Sequence, residues 1–444
     1  MYLKPEKMVL QKDVAYLGDN FQFATSFTLE GKDYTLVNDN IQHKSVLTEG
    51  IPKAERQLLA LIDFLRSDHD KPYQFDVQNV VDGYGLFKFN YGPVSWGIQE
   101  SGKFILDTYG EKILNTIPVL GYKTRRIEKM LLGHTVEDST LLIEREVGNF
   151  SASYSTCFLT AAEQLLGVEV EPYIDWVRAV AIEMERIYNH LHVFGRLAEA
   201  ASQNVAVNLI NSLKERCLRL NSKYFFHRYF FGFNRLADVR VDLQGKARSE
   251  LIKQIQSICR EAASLTEYFL SSRMFLDRMQ ETGKLPREVA YTLGAVGPTA
   301  RGSGIQLDDR LTFPFGPYNE IFVPIETEKG CDALARLLVR LNEIQSSQVV
   351  LQELLDRMPS RGTGKKIFGE RKTEAVALSR IESPSGDLVH VLKLDADGRI
   401  SFIHIRPPSL INFIPFAISM TDNLFTDFQF NYESFGLSFA DSDR

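Results

Sequence analysis

The sequence predicts an α+β protein that is mainly α-helical, with a central antiparallel helix bundle, an N-terminal β region and a C-terminal β-hairpin and tail. Two observations predict this class. Long segments with apolar residues at three- and four-residue steps fill the middle of the chain, and shorter segments of alternating polarity lie on either side. An apolar fraction of 44% over 444 residues is ample for a large core and allows more than one domain.

Residues 1–80 are predicted to form a small, separate α/β element whose role the sequence does not reveal. Phe21–Leu29 and Asp33–Val37 alternate in polarity across Glu30-Gly31-Lys32, which indicates a hairpin. Ala54–Arg66 has the apolar spacing of a short amphipathic helix.

The remainder, residues 81–444, is predicted to be one larger domain that opens with a β-rich stretch. Leu86–Asn90 and Gly97–Thr108 have the composition of strands, and a turn region separates them. Thr124–Leu132 is predicted to be a short helix, because its apolar residues share one side.

The centre of the chain is strongly helical. Pro172 is expected to open a long helix, because proline fits the first helical position, and apolar residues recur at helical spacing as far as Leu191. The apolar pattern is not a sustained heptad, so an antiparallel bundle is favoured over a coiled coil. The other predicted helices cover residues 154–167, 204–223, 246–273 and 329–358.

Beyond about residue 367 the pattern changes again. Leu388–Leu394 and Ile400–Arg406 flank Asp395-Ala396-Asp397-Gly398, a good hairpin signal. The apolar run Leu410–Met420 is predicted to be a buried strand. The tail, 407–444, shows few helix signals and is expected to be buried, since its many phenylalanines could not all remain exposed.

Composition excludes several classes of function. The net charge is −6 and no basic block occurs, which argues against a nucleic-acid partner. No run approaches the ~18 apolar residues of a membrane span. The first twenty residues carry scattered charges and lack the apolar core of a signal peptide. We therefore expect a cytoplasmic protein that is soluble or peripherally attached to a membrane.

The cysteine and histidine positions do not indicate a metal site. The four cysteines lie far apart in sequence, and none forms a CxxC or a Cys/His cluster. His190 and His192 are two residues apart on a predicted helix and therefore point to different sides. Composition and spacing thus predict a protein without bound metal.

Eight segments occur in the order found in one known family. They are Gly92–Phe104 (GPVSWGIQESGKF), Gly121–Lys129 (GYKTRRIEK), Glu144–Phe150 (EREVGNF), Glu183–His190 (EMERIYNH), Gly297–Gly304 (GPTARGSG), Glu382–Asp387 (ESPSGD), Arg406–Ser409 (RPPS) and Ser434–Arg444. Through them the chain resembles the large-subunit family shared by nickel–iron hydrogenases and the 49 kDa, quinone-site subunit of complex I. The likeness is strongest to the energy-converting (group 4) hydrogenases, and it implies their large-subunit fold.

The departures from the family pattern carry functional information. In a working hydrogenase four cysteine thiolates hold nickel and iron, which require soft ligands. The matching positions here are Val147, Phe150, Ser438 and Asp441, which we call the four replaced positions. The family's arginine beside the metal's diatomic ligands is Ser385. The resemblance therefore implies a chain that binds no metal and no cofactor and has no nickel–iron hydrogen chemistry.

Quinone chemistry is also weakened. The complex I histidine in the early Gly-Pro loop matches Ser95, and its aspartate partner matches Ser202, so an imidazole proton donor is missing. Three residues remain as candidate catalytic groups: Glu100, which matches the family's proton-passing glutamate, Arg301, which matches an arginine near the cavity, and the new carboxylate Asp441. The alternatives are a strand-end carboxylate, a buried structural ion pair and a residue that fills the former metal site.

Two functions follow from the resemblance. In the first, the chain is the large subunit of a membrane-associated oxidoreductase or ion-pumping complex at the inner face of the cell membrane. It would pack against a small iron–sulfur subunit, other hydrophilic-arm subunits and integral membrane subunits. Electron transfer to a sulfur compound or a quinone, ion translocation and NAD binding are then expected of the complex.

In the second, the chain is a non-catalytic scaffold or coupling subunit of such a complex. An independent helical regulatory protein would require the motif order to be coincidence. Whether the chain itself is enzymatic therefore stays open at this point.

Overall fold

Two β regions flank a helical centre in the computed structural model, which confirms the predicted mainly helical α+β class. The structure describes residues 21–39, 44–51, 54, 56–66, 71–75, 82–95, 97–362, 367–372 and 375–443.

The N-terminal part contains two antiparallel sheets, with strand orders β1-β2-β3 and β4-β7-β6-β5. The predicted hairpin and the helix that follows it are both present. The strand predicted from Gly97 begins only at Lys103, because Gly97 has a φ of 93° and the chain turns before the strand. The elements are β1 (Phe21–Leu29), β2 (Lys32–Asp39), β3 (Lys44–Glu49), α1 (Arg56–Arg66), β4 (Tyr73–Gln74), β5 (Leu86–Tyr91), β6 (Lys103–Tyr109), β7 (Lys112–Leu120), α2 (Ile127–Leu131) and α3 (Val136–Ile143).

The helical centre is built around one long helix that begins at Pro172, as predicted. This helix packs against α6 and α12, and α12 packs against α7, so the long helices form the expected bundle. The elements are α4 (Ser151–Leu165), β8 (Val168–Glu169), α5 (Pro172–Ala200), α6 (Asn204–Phe225), β9 (Asn234–Arg235), β10 (Asp238–Val239), α7 (Lys246–Leu270), α8 (Arg273–Met279), α9 (Arg287–Thr292), α10 (Gly297–Gly302), α11 (Asp309–Thr312) and α12 (Ala333–Arg357).

The C-terminal part is an antiparallel sheet followed by helices. It contains β11 (Ile367–Phe368), β12 (Val376–Ser383), β13 (Gly386–Leu394), β14 (Ile400–Arg406), α13 (Pro408–Ser419), α14 (Phe428–Phe435) and α15 (Phe439–Ser442). The predicted hairpin is confirmed as β13–β14. The predicted strand Leu410–Met420 is wrong, because this segment lies in α13. Its residues are buried on all sides, so the run lacks the polar face by which a helix is recognised.

The tail is buried, as predicted, and it is helical rather than irregular. An aromatic cluster holds it: Phe104 of β6 lies 5.2–6.2 Å, ring centroid to centroid, from Phe413, Phe416, Phe428 and Phe439. Several of these pairs meet edge to face, a favourable geometry for aromatic rings. The cluster thus fixes the C-terminal helices against the segment that contains Glu100.

The N-terminal strands pack on the C-terminal sheet. Thr25 Oγ1 lies 2.8 Å from His404 Nε2, and Arg380 Nη1 donates to Asn38 Oδ1 at 2.6 Å. The division of the chain at residue 80 stays a prediction. None of the helices in the described ranges is both long enough and apolar enough to cross a membrane.

Candidate functional site

The four replaced positions come together at one cavity of about 340 Å³. Val147, Phe150 and Ser438 line it. Asp441 lies one turn beyond Ser438, and its backbone N–H donates to Ser438 Oγ at 3.2 Å. The place that holds the metals in the family is therefore still a recess, although Val147 and Phe150 bring no donor atom to it. These residues do not fit a nickel–iron centre, which needs thiolate ligands.

One wall of the cavity is the segment that leads into α4. Glu185 of α5 accepts hydrogen bonds from the backbone N–H groups of Ala152 and Ser153, at 2.8 and 3.1 Å, and so satisfies the first turn of α4. The hydroxyl of Tyr188 donates to the carbonyl of Asn149 at 2.6 Å. These bonds from α5 hold Val147 and Phe150 in place from behind.

Glu100 forms part of the opposite wall. Its Oε2 accepts from the hydroxyl of Ser438 at 3.1 Å and from the backbone N–H groups of Phe439 and Ala440. Its Oε1 accepts from Lys123 Nζ at 3.2 Å. Glu100 therefore closes the N-terminus of α15 while its side chain, 23% exposed, remains in contact with the cavity.

Asp441 is fully buried behind this wall. One carboxylate oxygen accepts from the hydroxyl of Tyr154 and the other from the backbone N–H of Ser409, the latter at 2.9 Å. Burial outweighs these donors and raises the pKa of Asp441 to about 6. The carboxyl group can therefore change its protonation state near neutral pH.

Arg301 lies outside the lining of the cavity, in a buried ion-pair network. Its Nε donates to Glu343 at 2.7 Å, and its Nη1 donates to Glu382 and to the carbonyl of Leu307, both at 2.8 Å. Asp308 lies 3.4 Å away. The structure thus brings Glu100 and Asp441 together at the replaced positions but leaves Arg301 among structural partners.

The sequence reasoning missed Arg340 of α12, which lines the cavity. A signal for it exists in the sequence. Arg340 lies three residues after Leu337 and four before Ile344, on the apolar stripe of a predicted helix. A charged residue in such a stripe is rarely fully buried without a function or a partner.

The serines at the family's polar positions have different surroundings. Ser385 is buried and lines the cavity. Ser202 is exposed just beyond the end of α5, with a φ of 57°. Within the described part of the chain no three His, Cys, Asp or Glu side chains are grouped so as to hold a metal ion.

Comparison with known proteins agrees with the motif order. The family described as respiratory-chain NADH dehydrogenase, 49 Kd subunit, matches residues 206–377. Membrane-bound hydrogenase subunit alpha of Pyrococcus furiosus is 27% identical over 364 residues, which cover 77% of this chain and 83% of that protein. An NADH-quinone oxidoreductase subunit of Thermodesulfovibrio yellowstonii is 25% identical over 341 residues, 70% of this chain and 85% of that protein.

A solved structure supports the fold. A chain of the membrane-bound sulfane sulfur reductase, an archaeal respiratory membrane complex, superposes with a TM-score of 0.76 at 21% identity. The match covers 81% of this chain and 99% of that chain. The resemblance predicted from the motifs is thereby confirmed: this chain is a homologue of the large subunits of membrane-bound hydrogenases and of the 49 kDa-type subunits of NADH-quinone oxidoreductases.

Proposed function

We propose that this chain is the large subunit of a membrane-associated, multi-subunit oxidoreductase or ion-pumping complex that does not carry out nickel–iron hydrogen chemistry. One observation carries the proposal. The cavity persists at the four replaced positions, and Glu100 still lies at its wall, although every metal thiolate is gone. A recess of about 340 Å³ is large enough for a small acceptor molecule.

The proposed partners follow from the same placement. A small iron–sulfur subunit would cover the cavity and deliver electrons to it, with other hydrophilic-arm subunits beside it and integral membrane subunits below, at the inner face of the cell membrane. Val94, in the loop that leads to Glu100, is 88% exposed, which supports a protein contact on this side. The chain itself would bind no cofactor, and the acceptor would be a sulfur compound or a quinone.

In this function the side chains at the cavity handle protons. Glu100 is placed to donate a proton to a reduced acceptor, because its carboxylate lines the cavity. Lys123 and Ser438 hold that carboxylate in one orientation. Asp441 is a buried carboxyl group one turn from Ser438, and we propose it as a proton store behind the wall.

The second candidate is a non-catalytic scaffold or coupling subunit of the same complex. The specific observation in its favour is that Glu100 caps α15, a structural role that would preserve this residue without chemistry. A complex I-like quinone-reducing subunit is a further alternative, although Ser95 and Ser202 replace its usual pair.

Purification of the tagged chain from native membranes tests membership of a complex. We expect an iron–sulfur protein and apolar membrane subunits to co-purify, with nickel far below stoichiometric amounts. Recovery of the chain alone as a monomer would contradict both complex-based functions. Stoichiometric nickel would contradict the loss of the metal centre.

The variant Glu100→Gln separates catalysis from scaffolding. Glutamine still accepts hydrogen bonds from the start of α15 but cannot transfer a proton, so we expect turnover of the assembled complex to fall by about a hundredfold. The matched control is Glu137→Gln, an exposed acid in the first turn of α3. Unchanged turnover in both variants favours the scaffold.

A further inference from the structure

Arg340 is a buried cation at the cavity wall without an anionic partner. Its side chain is 1% exposed. Nη2 donates to the carbonyl of Phe435 at 2.7 Å, Nη1 lies 3.4 Å from His190 Nδ1, and Nε has no acceptor. No carboxylate among the described residues lies within 4.0 Å of its guanidinium.

His190 does not supply the missing charge. Its Nε2 lies 2.7 Å from Glu343 Oε2, so Nε2 carries the ring proton and Nδ1 is the acceptor that faces Arg340. Burial lowers the pKa of His190 to about 4, which keeps the ring neutral at physiological pH. Arg340 is therefore hydrogen-bonded only to uncharged groups.

Several other buried arginines of this fold are paired with carboxylates. Arg178 lies 2.6 Å from Glu163, and Arg310 lies 2.6 Å from Asp308. An unpaired buried charge costs several kcal/mol, since it gives up hydration without gaining a counter-charge. Arg340 bears such a charge at a place where a ligand could reach it.

The carboxylates at the cavity wall do not offset Arg340 either. Glu433 accepts from Arg196 at 2.6 Å, and Glu100 accepts from Lys123 at 3.2 Å. Both acids are thus already paired with bases of their own. The charge that balances Arg340 has to come from inside the cavity.

We propose that the cavity binds a small anion with oxygen or sulfur acceptor atoms and that Arg340 supplies its counter-charge. This inference adds a ligand class to the proposed function, and it rests on that function in identifying the cavity as the acceptor site. A ligand anion takes the place of the carboxylate that Arg178 and Arg310 have within the protein. Charge-assisted hydrogen bonds from a guanidinium are among the strong ones.

The first test compares an anion with a neutral molecule of nearly the same shape. Methanesulfonate and dimethyl sulfone are titrated separately into the purified full chain at constant ionic strength, and binding is followed by calorimetry and by Tm. We expect methanesulfonate to bind and to raise the Tm, because a ligand of the folded state stabilises it, while the sulfone does neither. Equal effects of the two molecules, or no binding of methanesulfonate, overturn the proposal.

The second test identifies the residue. Arg340→Gln is expected to weaken methanesulfonate binding by at least about thirtyfold, as for the loss of one buried charged partner, whereas Arg340→Lys retains most of it. Arg336→Gln is the matched control, since Arg336 is equally buried one turn earlier on α12, donates to Ser434 and Asn431, and does not line the cavity. Equal weakening in the Arg336 variant contradicts a specific role for Arg340.

A crystal structure with methanesulfonate keeps the proposal decidable if the variants do not fold. The anion is expected within hydrogen-bonding distance of the Arg340 guanidinium, and its absence from the cavity overturns the inference. Anion binding is measured on the isolated chain, whereas co-purification measures assembly. A failed titration therefore contradicts this inference alone, and a chain recovered without partners contradicts the proposed function alone.

Discussion

At the scale of single residues, two kinds of side chain have taken over the metal-ligand positions. Val147 and Phe150 are buried and join the core cluster of the helix bundle. Ser438 and Asp441 instead make hydrogen bonds, Ser438 to Glu100 and Asp441 to Tyr154. One side of the former site is therefore stabilised by apolar packing, and the other side by a polar network.

The variant Asp441→Asn tests the buried carboxyl group through the pH dependence of stability. The folded-state pKa is about 6 and the ordinary value is 3.8, so the folded protein keeps a proton that the unfolded chain has released. This contribution to stability is fully present below about pH 4 and is lost as the pH rises to about 6, a change of about 3 kcal/mol. Asparagine does not titrate.

The measurement is the free energy of unfolding of both proteins, from denaturant titrations at several pH values. We expect the wild type to lose about 3 kcal/mol relative to Asp441→Asn between about pH 4 and about pH 7. Ser438→Ala, in the same polar network but without an ionisable group, serves as the control. A constant difference between Asp441→Asn and the wild type at every pH would contradict the raised pKa.

The variant Arg301→Ala tests whether this arginine is structural. Its removal leaves Glu343 and Glu382 buried without their main cation, so we expect a loss of about 3–5 kcal/mol in the free energy of unfolding. The control Arg219→Ala removes an exposed pair with Glu215 and should cost less than about 1 kcal/mol. Similar small losses in both variants would refute a stabilising network around Arg301.

At the scale of elements, α15 is locked against the segment that carries Glu100. A Cβ at Gly102 would lie 2.1 Å from Phe439 Cζ, so only glycine permits this approach. Phe439 also packs on Phe104 and Phe413 in the aromatic cluster. The position of α15, and with it that of Ser438 and Asp441, thus depends on a close contact as well as on the cap from Glu100.

Gly102→Ala is accordingly expected to destabilise the protein by about 1–3 kcal/mol, because Phe439 has to move within a packed cluster. Adding Phe439→Leu should relieve part of the strain, so that the double variant loses less than the sum of the single ones. The measurement is urea denaturation of the four proteins. In the control Gly83→Ala the new Cβ meets Leu86 at an ordinary 3.6 Å. Strict additivity would show that the contact is not tight.

At the scale of the whole molecule, the N-terminal strands cover part of the C-terminal sheet. Phe27, Leu36 and Leu47 pack on Leu378 and Val391, which are buried in β12 and β13. Polar contacts add to this interface, including that of Thr25 with His404. The first eighty residues are thus in contact with the larger domain that follows them.

Deletion of residues 1–80 is therefore expected to expose an apolar sheet face and to promote aggregation. The measurement is dye binding to exposed apolar surface together with light scattering, with the full chain as control. If the shortened protein stays monomeric with an unchanged Tm, residues 81–444 fold independently of the first eighty.

Much of the fold was predictable from the sequence because its long elements have strong local periodicity. The β1–β2 hairpin, the long helix from Pro172 and the β13–β14 hairpin all agree with prediction. Helix α13 was not predictable in this way, because residues surrounded on every side by a core need no polar face. The aromatic environment that buries it comes from distant parts of the chain.

The sequence by itself determined that this protein cannot hold nickel and iron, because donor atoms belong to side chains and do not depend on folding. Val147 and Phe150 have no ligand atom in any conformation. Only the tertiary structure decided which groups surround the resulting cavity. It placed Arg340 at the wall and Arg301 within an ion-pair network, since the packing of α12 against α5 and α10 sets those distances.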